Sequence, residues 1–473
     1  MKILLINPPN LSSISSVLPS ALEEERGHNP PLGLLYIASF LKKKLENCDI
    51  RVIDGPTENL NYSQLKERIK EFNPEIIGLT AMSFTVIDAL ETAKLAKAIN
   101  PQVKIVMGGP HVHIFGKETL DLGNADFVIL GEGEKTFYQL AKNIEDEEKL
   151  KEVPGLVFYD QEHNLIHTGP AQFIENLDEL PFPARDLIDN KKYYSVLGTS
   201  NLVTTMITSR GCPYRCLFCD RPHLGKMFRA RSPKNVVDEM EQCLNNYGIK
   251  EFLIYDDTFT VDRRRVIDIC QEIEKRKLNI VWDIRARVDT IDKELLAIMK
   301  KAGCERIHYG VESGTQKILD VLRKGITLQQ VEKAFKLTKK AGIQTLGYFM
   351  IGNPTETKKD ILQTIKFAKK INPDYVHITV TMPFPATDLY FLALQKGIIK
   401  KDVWLEFAKN PSLDFVPPIW QENLTKEELH DLIKKAYQEF YFRPAYLLKR
   451  IFALRSLGEL KRKAKAGLKV FKI

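Results

Sequence analysis

No uninterrupted apolar run in this chain reaches the ~18–20 residues that a membrane span requires, so no segment is expected to cross a bilayer. A disulfide scaffold is equally unsupported, because the seven cysteines are odd in number and irregularly spaced. Met1-Lys2 leads straight into the apolar ILLIN, with neither the charged region nor the cleavage site of a signal peptide. The expected setting is the reducing cytoplasm. Low-complexity tracts and a repeat of ~20–50 residues are also missing, which argues against disorder and against a solenoid. Nor does the chain carry the spread of basic residues that a nucleic-acid face demands. Its net charge of +8 gathers after Phe442, where ten basic residues from Arg443 to Lys472 stand against Glu459 alone.

What is present suffices for two or three folded domains: 473 residues, 44% of them hydrophobic and 27% charged with both signs mixed. Over residues 1–145, short β-branched runs such as KILLIN, EIIGLT, KIVMGG and DFVILG alternate with helical patterns. That rhythm predicts a doubly wound parallel sheet covered by helices. Ligands of such sheets sit beyond the strand carboxyl ends. Those ends carry Asn7-Pro8-Pro9, Thr80 to Ser83, Gly108-Gly109-Pro110 and Gly131-Glu132-Gly133-Glu134. Residues 146–197, with a hairpin-like piece near Asn164 and the proline-punctuated LDELPFPARDLID, read as a linker. From 198 to 420 a second βα series follows, whose six units predict a partial (β/α)6 barrel with its chemistry at the strand ends. Residues 421–473 read as a helical basic extension, opened by a capping box at Thr425 and Glu428. Its last segment is apolar along one side and is a candidate amphipathic surface helix.

The segment SRGCPYRCLFCDRP spaces Cys212, Cys216 and Cys219 as C-x3-C-x2-C just after the first barrel strand. Three neighbouring thiolates call for a soft cation, iron–sulfur or zinc. A Cys3His zinc site using His223 is the competing reading. A barrel strand end instead favours an iron–sulfur cubane, which three cysteines would leave with one open iron. Cys48, Cys243, Cys270 and Cys304 lack such spacing and are expected to be packing or surface thiols.

With Phe218 before its last cysteine, this loop resembles the signature of the radical S-adenosylmethionine (SAM) superfamily. The resemblance implies a [4Fe–4S] cluster on the three cysteines and reductive cleavage of SAM to a 5′-deoxyadenosyl radical, with electrons from a partner such as flavodoxin or ferredoxin. It also implies SAM contacts at Phe218, Asp256, Arg287, Glu312, Ser313 and Gly352. GVESG and FMIGNPTET carry the last three, although Asn353 and Thr355 stand where an apolar residue and a glycine are commoner. Asp256 and Asp257 have helix capping as their other reading, and of Arg285 and Arg287 only one is expected to face inward.

The succession INPP, PPLGLLYIASFL, a serine after the middle strand, GGPH and GEGE resembles the cobalamin-binding domain of the vitamin B12-dependent radical SAM family. Its cobalamin contacts would be Asn7, Pro8, Ser83, Gly108, Gly109, Pro110, Gly131, Glu132 and Gly133. The histidine motif that ligates cobalt in other B12 proteins is absent after the first strand, so His111 and His113 are read as loop residues and cobalt as lacking a protein histidine. The family implies methylation of an unactivated carbon on a small-molecule or lipid-like substrate. A cyclase or oxidoreductase like the anaerobic magnesium-protoporphyrin ester cyclase is the alternative, and a non-catalytic cobalamin or redox sensor the outlying one. No nucleic acid is expected as a partner, and the basic tail is a candidate for peripheral contact with the inner membrane face.

Overall fold

A computed structural model of the chain describes residues 1–14, 27–198, 200, 202–219 and 227–452. In its first half, β1 (Lys2–Asn7), β2 (Asp49–Asp54), β3 (Ile76–Thr80), β4 (Lys104–Gly108) and β5 (Phe127–Ile129) run parallel in the order β2-β1-β3-β4-β5. Ile3 to Ile6 are buried without alternation, as a parallel strand covered on both faces requires. The chain moves outward from β1 to β2 and then returns to β3 on the other side of β1. At that reversal the loops diverge and open a crevice above the strand ends.

The sheet does not stop at residue 145. An antiparallel hairpin, β6 (Leu156–Tyr159) and β7 (Leu165–His167), extends it past β5. This corrects the expectation that residues 146–197 are linker throughout. Leu156, Val157 and Phe158 are buried, and their pairing covers an edge of β5 that would otherwise stand open. The rest of the connector packs Ile174, Leu177 and Leu180 against Leu32, Tyr36 and Phe40 of the helix Leu32–Lys44.

The second half holds β8 (Val203–Met206), β11 (Glu251–Ile254), β12 (Val281–Ala286), β13 (Cys304–Glu312), β14 (Gln344–Ile351) and β15 (Tyr375–Val380), all parallel and in chain order. β9 (Ser209–Arg210) and β10 (Arg229–Ala230) form a separate two-stranded piece around the cysteine loop. The barrel is open, with β8 and β15 at its two edges. Phe252, Trp282, Ile284, Ile307, Phe349 and Ile378 join the apolar core that packs the strands on their helices. Strand alternation then gives Asp283, Arg285, Arg306, His308, Tyr348 and His377 to the lumen.

Two boundaries differ from the sequence reading. The helices Asp388–Gln395 and Val403–Lys409, expected within the barrel, bury Leu389, Trp404 and Phe407 in one core with Val112, Phe115 and Leu120 of the first domain. Their apolar faces need cover that the barrel does not offer. The helix Lys426–Tyr441, expected in a separate basic extension, starts at the Thr425–Glu428 capping box and packs Leu429, Ile433 and Phe440 into the barrel core. Basic residues from Arg455 onward lie outside the described residues.

This helix also satisfies the open edge of β15. The Tyr437 hydroxyl accepts from the Ile378 N–H at 3.0 Å and donates to the Ile378 carbonyl at 3.1 Å. Tyr441 does the same for Val376, at 3.1 and 3.0 Å. Replacing Tyr437 by Phe strands a buried backbone donor and acceptor, so Tyr437→Phe is expected to lose about 1–3 kcal/mol in denaturant unfolding. A loss below about 0.5 kcal/mol, within the range of neutral surface changes, would contradict this account of the edge.

Candidate active site

The strand ends of the two sheets face each other across a cavity of about 320 Å3. The first domain lines it with Gly33, Thr80, Gly108, Gly109, Pro110, Gly131, Glu132 and Gly133, and the barrel with Ser209, Arg210, Tyr255 and Asp257. A Cβ added at Gly33 or Gly108 would meet nothing within 4 Å, so these positions keep open space. Gly109 is glycine for another reason. Its φ of 110° and the Ala81 carbonyl 2.7 Å from a would-be Cβ exclude any side chain.

Not every expected cobalamin contact reaches this cavity. Asn7 donates to Asp54 at 2.7 Å, and Asp54 in turn accepts from the Tyr193 hydroxyl at 2.9 Å. That chain of bonds ties the end of β1 to β2 and the connector. Pro8 and Ser83 are likewise outside the lining. Glu132 does line the cavity, but its carboxylate accepts from Arg229 at 2.6 and 3.1 Å and from the Ile174 N–H at 2.8 Å. Burial alone would raise its pKa, yet the Arg229 hydrogen bonds and the Arg210 charge hold it below the usual carboxylate range. Glu132 thus fastens the two domains, joined by Glu134, which pairs with Arg210 at 2.5 Å.

His111 and His113 are helical rather than loop residues, on Pro110–Ile114. The His111 ring is buried between Phe115 and Phe407, with its Nδ1 3.2 Å from the Ser83 hydroxyl. His113 accepts from the Gly131 N–H at 3.1 Å and so shapes the cavity wall. Both rings have structural partners on the protein side.

The cysteine loop leaves β9 through Gly211 (φ 82°). It is pinned where the Leu217 N–H donates to Leu322 and the Leu217 carbonyl accepts from Leu389, both at 2.9 Å. Cys216 is buried, Cys212 half-buried and Cys219 exposed. Burial pushes the Cys212 thiol up. Among the described residues no three His, Cys, Asp or Glu side chains converge on a single metal ion. A cubane asks for a different arrangement, one thiolate per iron with the ligands apart, whereas zinc draws all its sulfurs to one point. His223 lies outside the described residues. Two cations stand against the aromatic residues of this loop: Lys324, whose Nζ is 5.7 Å from the Phe218 ring, and Arg287, which stacks on Tyr214 at 3.7 Å. A thiolate donor set flanked by positive charge fits an anionic iron–sulfur centre.

Around this loop several expected SAM contacts are committed elsewhere. Asp256 is buried and accepts from Thr208 N–H (2.6 Å), Thr208 Oγ1 (2.5 Å) and Ser209 Oγ (2.6 Å), so it fixes the chain entering the cysteine loop and leaves Asp257 to the cavity. Ser313 is buried against Thr364 at 3.2 Å. A Cβ at Gly352 would meet Leu429 of the C-terminal helix at 2.9 Å, so helix packing also calls for glycine here. Glu312 pairs with Lys324 at 2.8 Å, and Arg287 with Asp289 through two bonds of 3.0 Å. Arg287 follows the last residue of β12, so strand alternation does not choose between it and Arg285; Arg285 stacks on Tyr255 and Arg287 on Tyr214. Sequence reasoning gave no role to Lys324, Arg210 or Gly33, although Arg210 and Gly33 stand within the quoted SRGC and PPLG motifs.

Comparison with known proteins defines the class. The radical SAM superfamily profile matches residues 206–368, and the B12 binding domain profile matches residues 22–141. An uncharacterized methyltransferase of Pyrococcus horikoshii, PH0819, is 38% identical over 454 residues, covering 96% of this chain and 95% of that protein. The anaerobic magnesium-protoporphyrin IX monomethyl ester cyclase of Cereibacter sphaeroides is 32% identical over 432 residues, covering 89% of this chain and 68% of that one. The fold matches that of the radical SAM methyltransferase TsrM of Kitasatospora setae, solved with cobalamin and a [4Fe–4S] cluster, with a TM-score of 0.73, 18% identity and coverage of 94% and 89%.

The chain belongs to the radical SAM superfamily, in the branch with an amino-terminal B12-binding domain. It is an enzyme, and its cofactors are a [4Fe–4S] cluster, SAM and cobalamin. No helix among the described residues is long and apolar enough to cross a membrane.

Burial lowers the His111 pKa to about 4. The folded state therefore keeps His111 neutral, while the unfolded chain takes up its proton below its ordinary value of about 6.5. Stability from this group is complete above about pH 6.5 and is lost as pH falls toward 4, at up to about 1.4 kcal/mol per pH unit. In unfolding titrations between pH 7 and 5, His111→Asn is expected to show a shallower acid slope than the parent. Equal slopes would place the pH dependence elsewhere.

Proposed function

We propose that this enzyme methylates an unactivated carbon of a small molecule, using the cavity between the two strand-end rims as the place where cobalamin meets the radical-generating site. The shared lining of that cavity, with glycines from one domain and Ser209, Arg210, Tyr255 and Asp257 from the other, supports this reading most directly. When bound, the cluster and SAM supply a carbon-centred radical and cobalamin supplies a methyl group. The chain's own contributions are positional. Cys212, Cys216 and Cys219 hold the cluster, with Lys324 and Arg287 against the aromatic residues of their loop. Gly33, Gly108, Gly109, Gly131 and Gly133 leave room for cobalamin. His111 and His113 spend their Nδ1 atoms on Ser83 and Gly131 and so brace the wall on which cobalamin would rest.

A second reading is radical cyclisation or oxidation without methyl transfer, supported by the 32% identity to the magnesium-protoporphyrin cyclase. Exposed Cys219 supports electron entry from a small carrier such as flavodoxin or ferredoxin, and seven free cysteines support a reducing cytoplasm. Leu447 and Leu448, exposed on the helix Pro444–Phe452, support a peripheral membrane contact and a lipid-like substrate.

Anaerobic incubation of the reconstituted enzyme with methyl-labelled SAM and cell extract tests the main reading. Label is expected in a small molecule together with 5′-deoxyadenosine, and Cys216→Ala is expected to lower both by at least about 100-fold, since it removes a cluster ligand. Accumulation of 5′-deoxyadenosine with no label anywhere favours the cyclase reading. Neither product from iron-replete enzyme would overturn both. For the membrane contact, a chain ending at Phe442 is expected to lose sedimentation with anionic liposomes, and unchanged sedimentation would reject the tail's role.

A further inference from the structure

The barrel lumen carries charge that the cofactors' expected sites do not account for. Three of its cations have carboxylate partners: Arg287 with Asp289 at 3.0 Å, Arg306 with Asp283 at 3.1 Å and Lys324 with Glu312 at 2.8 Å. Arg285 differs. It is half-buried on β12, and among the described residues no carboxylate lies within ion-pairing distance of it. Its guanidinium carbon sits 3.8 Å from the centroid of the Tyr255 ring. Stacking holds a guanidinium by its face; one in-plane donor faces the Tyr348 hydroxyl, and the others are left for another partner.

Neighbouring lumen residues are polar. Arg285 stands opposite His308 in the β12–β13 register, and Tyr348 stands opposite Gly310 and His377. His308 Nδ1 is 3.0 Å from the Tyr348 hydroxyl, while the Tyr348 and His377 rings are 5.6 Å apart. Asp283, the nearby acid, is shared between Arg306 at 3.1 Å and His308 Nε2 at 3.4 Å. Asp283, Arg285 and Arg306 together therefore leave one positive charge uncompensated. A partly desolvated cation without a counter-ion is costly unless an anion joins it.

The position of Tyr255 relates this charge to the chemistry. One ring both stacks on Arg285 and lines the cavity between the domains. A group bound on Arg285 would therefore lie next to a residue of the cavity wall. We propose that Arg285 is the anchor of an oxyanion subsite, which takes a carboxylate or phosphate of the substrate and presents an adjacent carbon toward the cavity. The proposal names the substrate class of the reaction proposed above and rests on that reading only for what happens to the substrate after it binds.

Calorimetric titration of the purified, cluster-reconstituted chain with inorganic phosphate and, separately, with succinate tests the subsite without turnover. One or both anions are expected to bind at one site per chain. Arg285→Gln is expected to weaken that binding by about tenfold or more, the scale of one lost charge-assisted contact. Arg285→Lys keeps the charge but not the fork, and is expected to fall between parent and Gln variant. Binding of phosphate alone assigns a phosphorylated substrate, and binding of succinate alone a carboxylated one. Absence of binding by either anion, or equal affinity in both variants at parental melting temperature and iron content, would overturn the proposal. Because no SAM or cobalamin takes part, a failed titration leaves the methylation reading standing, and a failed labelling experiment leaves the anion subsite standing.

Discussion

The structure depends on charge pairs buried between its two domains. Glu132 and Glu134, at the end of β5, meet Arg210 and Arg229, which flank the cysteine loop on β9 and β10. A second set continues behind them. Glu239, on the barrel's first helix, pairs with Arg185 of the connector at 2.7 Å and with Arg231, and Arg231 also donates to the Tyr36 hydroxyl of the first domain at 3.4 Å. Tyr36 is pushed up to about 12 by burial and by Glu239, so it remains a neutral phenol beneath the Arg210 guanidinium. Desolvating so many charges gains little net stability, while removing one partner from such a set costs about 3–5 kcal/mol. The clamp is therefore better understood as fixing orientation. It sets one rim of strand ends against the other, and it reaches the cysteine loop through β9 and β10.

An open barrel makes this arrangement possible. Six strands leave two edges, and the side cores show how the chain deals with them. Tyr437 and Tyr441 meet the backbone of β15, while residues beyond Pro383 bridge to the first domain through Trp404, Phe407 and Phe115. An eight-stranded barrel would have no need of such cover.

The architecture was legible from the alternation of strand and helix patterns, and the cysteine loop from its spacing. Side-chain partners were least legible where they are distant in sequence. Asp256 looks available in YDDTF, but the hydroxyls of Thr208 and Ser209 that claim it precede it by nearly a whole βα unit. Gly352 suggests close approach by a ligand, yet its neighbour is Leu429, on a helix the sequence seemed to assign to a separate tail. Arg229, Arg231 and Glu239 likewise give no local hint of a role, and all three belong to the interdomain clamp. The hairpin of β6 and β7 was visible as a hairpin, but only its register with β5 assigns it to the sheet.

Backbone strain follows the same geography. Glu312 (φ 71°), Thr355 (φ 63°) and Ala386 (φ 59°) are non-glycine residues in the left-handed region, and each lies at or just after the carboxyl end of a barrel strand. Such conformations cost on the order of 1 kcal/mol or more each and persist only where surrounding contacts over-determine them. Those contacts are present for two of the three. Lys324 holds the Glu312 carboxylate, while the Thr355 N–H donates to Glu422 at 2.7 Å and its carbonyl accepts from Lys317 at 3.0 Å. Thr355 stands where the resemblance leads one to expect glycine, and its backbone takes the glycine conformation regardless. Its hydroxyl is buried without a partner, so nothing local rewards the threonine. The departure from the commoner motif therefore leaves the turn's shape intact and shifts its cost onto stability, which is the outcome expected when the contacts around a rim, and not the residue within it, dictate the path of the chain.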